Sequence, residues 1–189
     1  MTQTEWEAEC RHRLTIDEGE RDRVYTDSVG IPTIGIGFNL QRADAPAILS
    51  KIGAQYDAVM SGTLLSSQQV ADLFQYSFAP IVGEARASLE PFHFDSMSDA
   101  RRFVICDLVF DLGATGWDGF QNARAAIDQA CHAGRTGHPA TEHAQFGAAA
   151  AALAASIWYG QVGNRAKRDV AMLRTSNWCD PYGDGSDIS

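Results

Sequence analysis

The chain has 189 residues, 45% of them hydrophobic and 21% charged, which suffices for one compact unit or two small lobes. Its formal net charge of −9, with no basic run or stripe, argues against nucleic acid as a partner and against adhesion to an anionic surface by bulk charge. The alanine-rich stretch 147–157 is too short and too weakly apolar to span a bilayer, and nothing longer is available, so no membrane insertion is expected.

Residues 1–13 mix acidic and basic side chains without an apolar core, unlike a secretory signal. Glu5 to Ile16, with Trp6, Leu14 and Ile16 set among charges, predicts an amphipathic opening helix. Asp17-Glu18-Gly19 reads as its end, Gly19 supplying the positive φ of a helix C-terminus. Val24-Tyr25 then predicts a short strand and Asp27 to Gly30 a turn. Thr33 to Gly37 predicts a second strand whose glycines permit close backbone approach. Asp44 is a helix N-cap with Pro46 in the first turn, and that helix ends at Gly53. Ser66 and Gln69 form a capping-box pattern before the longest helical stretch, Ser67 to Leu89, which Pro80 bends.

From Ser96 to Leu112 apolar residues occupy nearly every side, as in a central core helix, and Gly113, Gly116 and Gly119 punctuate the next turn. Helices over Phe120 to Ala130, Thr141 to Tyr159 and Asn164 to Arg174 complete the chain, with a polar loop from Gly134 to Pro139 and a frayed tail after Trp178. Cys10, Cys106, Cys131 and Cys179 lack metal-ligand spacing and are expected as free thiols, and the five histidines are expected on the surface or in loops.

The chemistry concentrates early. Glu18 is followed after eight intervening residues by Asp27, and Asp27 after five more by Thr33. A carboxyl at a helix end, with a carboxylate and a hydroxyl on a hairpin, suits hydrolysis. One acid protonates a leaving oxygen and a charged group steers water. No metal or other cofactor is needed for this.

This stretch, with Thr33-Ile34-Gly35-Ile36-Gly37 after it, resembles the catalytic signature of the T4-type phage lysozyme family, glycoside hydrolase family 24. Phe110 to Gly116 with Phe120-Gln121-Asn122 is similar to the family's core-helix end and following turn. Trp158-Tyr159, Asn164 to Arg168, Arg174-Thr175 and Trp178 are similar to its last two helices. The resemblance runs from Glu5 to Trp178. It implies an α+β, lysozyme-like fold: a hairpin lobe at 18–66, a connecting helix at 67–89, and a helical lobe formed by 1–17 with 90–189.

The resemblance also implies cleavage of the β-1,4 bond between N-acetylmuramic acid and N-acetylglucosamine in peptidoglycan. Glu18 would be the general acid, Asp27 would activate or orient water, and Thr33 would hydrogen-bond that water. Arg165 would pair with Glu18 and Arg168 with Asp17, while Phe110 lines the cleft. Three departures bear on sugar contacts. Phe38 stands where relatives often carry a histidine, Asn39 where they carry a leucine, and Asp111 where they carry a glutamine.

The expected partner is a peptidoglycan glycan strand, met by a monomer. Without a signal, a product made in the cytoplasm would reach the wall through a holin pore, as an endolysin, or through a secretion system, as an antibacterial effector with its immunity protein. The competing reading is a lysozyme-like module that has lost catalysis and binds the wall or a protein. The intact Glu18, Asp27 and Thr33 weigh against it.

Overall fold

The computed structural model describes residues 1–27 and 30–188. Residues 28 and 29, in the middle of the expected turn, lie outside the described residues. The fold is α+β: among the described residues, ten helices and one three-stranded antiparallel sheet of order β1-β2-β3. It divides into two compact units, one of residues 7–80 and one of residues 1–6 with 81–189. No helix among the described residues is long and apolar enough to cross a membrane.

The opening helix α1 (Gln3–Glu18), which belongs to the smaller unit from Glu7 onward, runs into the sheet, β1 (Arg21–Thr26), β2 (Pro32–Gly35) and β3 (Phe38–Asn39). β1 and β2 pair Tyr25 with Thr33 and Thr26 with Pro32, with a register irregularity between Arg21 and Tyr25. β3 pairs Asn39 with Thr33 and was not expected, since two residues carry no periodicity. Gly35 has φ +66, and a Cβ there would stand 3.3 Å from Leu73, so glycine lets the strand lie against a neighbouring helix.

The sheet packs on α2 (Ala45–Lys51), α3 (Tyr56–Met60) and the first turns of α4 (Ser67–Ala87) through Ile34, Phe38, Leu40, Leu49, Val59 and Leu73. Tyr56 donates its hydroxyl to the Leu40 carbonyl at 3.0 Å. The capping box at the start of α4 forms in both directions. Gln69 N–H donates to Ser66 Oγ at 3.2 Å, and Ser66 N–H to Gln69 Oε1 at 2.9 Å. Asp44 precedes α2 as expected but makes no side-chain cap; Arg42 takes its carboxylate through two hydrogen bonds.

The larger unit holds α5 (His93–Ser96), α6 (Asp99–Asp118), α7 (Gln121–Arg135), α8 (Pro139–Ala154), α9 (Ile157–Val162) and α10 (Asn164–Thr175). Ser98 caps α6, and Phe103, Val104, Ile105, Cys106, Leu108 and Val109 are all buried along it, as its continuous apolar run predicts. Gly113, at φ +69 and ψ 163, breaks α6 into two segments. The alanine-rich stretch expected as one helix is two, because Ser156 stops α8 and caps α9 by accepting the Tyr159 N–H.

The tail is not frayed. Arg168 donates to the Gly183 carbonyl at 3.1 Å, Asp180 N–H donates to Asp187, and Cys179 is buried. His93 departs from its expected surface position, since Asp128 supplies the polar partner that lets an imidazole be buried. All four cysteines are buried, and none is in a disulfide among the described residues.

Candidate active site

Asp17 and Glu18 form the last residues of α1, both half-buried, and the turn closes through Gly19, whose N–H donates to the Thr15 carbonyl at 2.9 Å with φ +79. A glycine there allows the chain to reverse directly from the acid into β1. Asp27 directly follows that strand. Its backbone N–H donates to the Ile31 carbonyl at 3.0 Å, and its Oδ1 accepts the Ile31 N–H at 2.8 Å. The carboxylate is thus held by the same turn that returns the chain into β2. Thr33 comes next, 3% exposed, its hydroxyl donating to the Ile31 carbonyl at 3.1 Å. Asp27 and Thr33 therefore share one anchor, Ile31.

Tyr25 stands beside this pair. It lies directly opposite Thr33 across β1 and β2. Burial first, and then the negative charge of Glu18, push its phenol above the ordinary value. Arg21, 5.0 Å from the ring centroid, opposes them, and Asp27 adds a further upward push. Both carboxylates therefore act on one phenol. Nothing in the sequence marks Tyr25 as part of the constellation beyond its place in a strand. Asn39, opposite Thr33 on β3, turns its own Oδ1 to the Gln41 N–H at 2.7 Å.

The other residues expected in the site lie in the larger unit, where a separate cluster forms between α6, α9 and α10. Arg165 holds Asp107 with two hydrogen bonds of 2.9 and 2.8 Å, and Asp111 lies 3.7 Å from the same guanidinium. Asp111 also accepts the Trp158 indole N–H at 2.7 Å. Phe110 is half-buried with Arg165 at 5.9 Å from its ring centroid. Arg168 is buried and reaches the tail at Gly183. Asp107 and Trp158 thus join Arg165 and Asp111 in one network. The signal for Asp107 is its place one turn before Asp111, which puts two acids on one helix face.

No family model matches the chain. It is 31% identical over 124 residues to the endolysin of Salmonella phage P22, a match that covers 61% of this chain and 74% of that protein. The chain belongs to the endolysin family of that phage protein. In this endolysin-family chain, no three His, Cys, Asp or Glu side chains among the described residues are grouped so that they could hold a metal ion. The chemical groups on offer are two carboxyls, a phenol and a hydroxyl around one hairpin.

Proposed function

We propose that the protein is a muramidase of the T4-type phage lysozyme family, glycoside hydrolase family 24, hydrolysing the β-1,4 bond between N-acetylmuramic acid and N-acetylglucosamine in peptidoglycan. The observation that carries this reading is the hairpin geometry: Thr33 donates its hydroxyl to the residue that anchors Asp27, and Glu18 ends the helix that runs directly into that hairpin. The similarity to a phage endolysin supports it.

In this reading Glu18 gives its proton to the departing glycosidic oxygen. Asp27 takes a proton from a water on the opposite face of the sugar, and Thr33 holds that water. The bond to the leaving sugar breaks as the bond to water forms, so the anomeric centre inverts. Inversion of this kind uses carboxyls about 6.5–9.5 Å apart. Asn39, Phe110 and Asp111 contact the sugars.

A pairing of Arg165 with Glu18 and of Arg168 with Asp17 belongs to the same proposal. The chain acts as an endolysin released through a holin pore or as a secreted effector.

The test is release of muropeptides from purified peptidoglycan, with mass spectrometry of reduced ends, comparing wild type with Glu18→Gln. Fragments ending in reducing muramic acid, absent for the variant, are the expected result. Release by the variant, or none by a folded wild type across several wall types, would overturn the reading.

A further inference from the structure

The larger unit carries an open groove of about 770 Å³ to which the proposed reaction gives no task. Neither Phe110, Asp111, Arg165 nor Arg168 lines it. Its walls, from α5, α7 and the start of α8, present His93, Asp128, Gln129, His132, Thr136 and Gln145.

Asp128 is the fixed point of the groove. Its Oδ1 accepts the Glu90 backbone N–H at 3.0 Å and lies 2.7 Å from His93 Nδ1. Those two contacts orient both side chains, and they leave Asp128 Oδ2 and His93 Nε2 as the atoms able to bond a ligand. His93 is itself 7% exposed, so this imidazole is a buried polar group with one edge on the groove.

Beside it, Phe92 is 73% exposed at φ +72, a conformation that a bulky residue rarely adopts. Phe92 immediately precedes His93, and Arg135, which immediately precedes Thr136, stands 5.7 Å from its ring centroid. An exposed aromatic ring, next in sequence to a wall residue, therefore stands beside a groove whose surface is largely apolar.

The lining selects the class of ligand. No lysine or arginine lines the groove, although Arg135 stands beside it at Phe92. Among the described residues no set of ligands could take a metal ion. Carboxylate, amide, hydroxyl and imidazole groups beside an exposed aromatic suit a polyhydroxylated, uncharged molecule, which offers hydroxyl pairs to the former and an apolar ring face to the latter.

We propose that this groove is a second glycan site, binding the uncharged amino-sugar strand of the wall apart from the hydrolytic residues. The identity of the glycan rests on the muramidase reading. A chain of net charge −9 gains little attraction to an anionic wall, and a non-ionic second contact would hold the enzyme on its polymer by raising its effective concentration there.

The experiment uses the full chain carrying Glu18→Gln, so that substrate persists. An N-acetylglucosamine tetramer is titrated while backbone amide resonances are followed, and binding to purified peptidoglycan is measured by sedimentation. The expected result is perturbation at Asp128, Gln129 and Thr136. A further Phe92→Gly with Gln129→Ala should weaken sedimentation about tenfold, the scale of one lost stacking contact with its hydrogen bonds. Glycine suits φ +72, so the first change does not threaten folding.

Unperturbed groove amides, or unchanged sedimentation of the folded variant, would overturn the proposal. The two readings fail separately. Muropeptide release by the wild type with a silent groove removes only the second site. Groove binding without any release removes only the hydrolase.

Discussion

Arg165 grips Asp107 edge-on, Nε to Oδ2 at 2.9 Å and Nη2 to Oδ1 at 2.8 Å, where the carboxylate has no exposed surface at all. The parallel pair of charge-assisted bonds fixes the guanidinium plane, which a lysine could not do. It also clamps α10 to α6. Asp111, one helical turn further along α6, touches the same guanidinium and fixes the Trp158 indole, so α9 is tied into the clamp as well.

Removing one partner of such a pair leaves the other buried and uncompensated. Asp107→Ala should therefore lower stability by about 3–5 kcal/mol. Asp107→Asn, which keeps an acceptor, should cost less. Combining Asp107→Leu with Arg165→Met should recover most of the loss, because the isolated charge is then gone. Urea unfolding of these variants beside the wild type measures this. A cost under about 1 kcal/mol for Asp107→Ala, the range of an exposed pair, would contradict the clamp.

Gly185 explains why the tail is ordered. It has φ +77, and a Cβ there would meet the Ala171 Cβ at 2.9 Å and the Lys167 carbonyl at 3.0 Å. The tail backbone lies directly on α10, a contact only glycine permits. Gly185→Ala should detach 180–188, seen as faster proteolytic trimming of the tail at unchanged helix content. Trimming at the wild-type rate would mean that the docking is marginal.

The hairpin is legible because short-range rules govern it: a glycine after Glu18, a strand ending just before Asp27, and a glycine closing β2. The Ser66–Gln69 capping box and the break at Gly113 are legible for the same reason. Features set by distant packing are not. The chain around Asp180 is rich in glycine and acids and reads as solvent-loving, yet Arg168, fifteen residues earlier, captures the Gly183 carbonyl. The Trp158–Asp111 bond joins residues 47 apart. His93 reads as a surface residue because its partner, Asp128, is 35 residues away. The start of α9 could have been found, since Ser156 is a favoured N-cap, but the alanines around it predict unbroken helix.

Tyr25 reports on the charge of Glu18 independently of activity. Its phenol is raised above 10.0 by burial and then by Glu18, so the folded state keeps a proton that the unfolded chain gives up near that pH. The associated stability is fully present below pH 10.0 and is lost as pH rises through the folded value. Glu18→Gln should move the Tyr25 titration downward, and the alkaline loss of stability should become shallower. Tyrosinate ultraviolet absorbance, with Tyr25→Phe to identify the transition, reads this. An unmoved titration would show that the charge of Glu18 does not reach the hairpin residues.

Asp27 has two duties that can be pulled apart. Its Oδ1 accepts the Ile31 N–H at 2.8 Å, a structural bond, while its charge serves the proposed activation of water. Asparagine keeps an Oδ1 acceptor and drops the charge. Asp27→Asn should therefore unfold at the wild-type temperature yet lose about 10²–10⁴ in rate, the range of one general base. Asp27→Ala should lose the turn bond too, at a cost of about 1 kcal/mol. The anomer released by the wild type, followed by proton NMR before mutarotation, should be inverted relative to the β-linked substrate. Retention of configuration would make Asp27 a nucleophile in place of a base. Full activity of Asp27→Asn would leave its carboxylate with the turn alone.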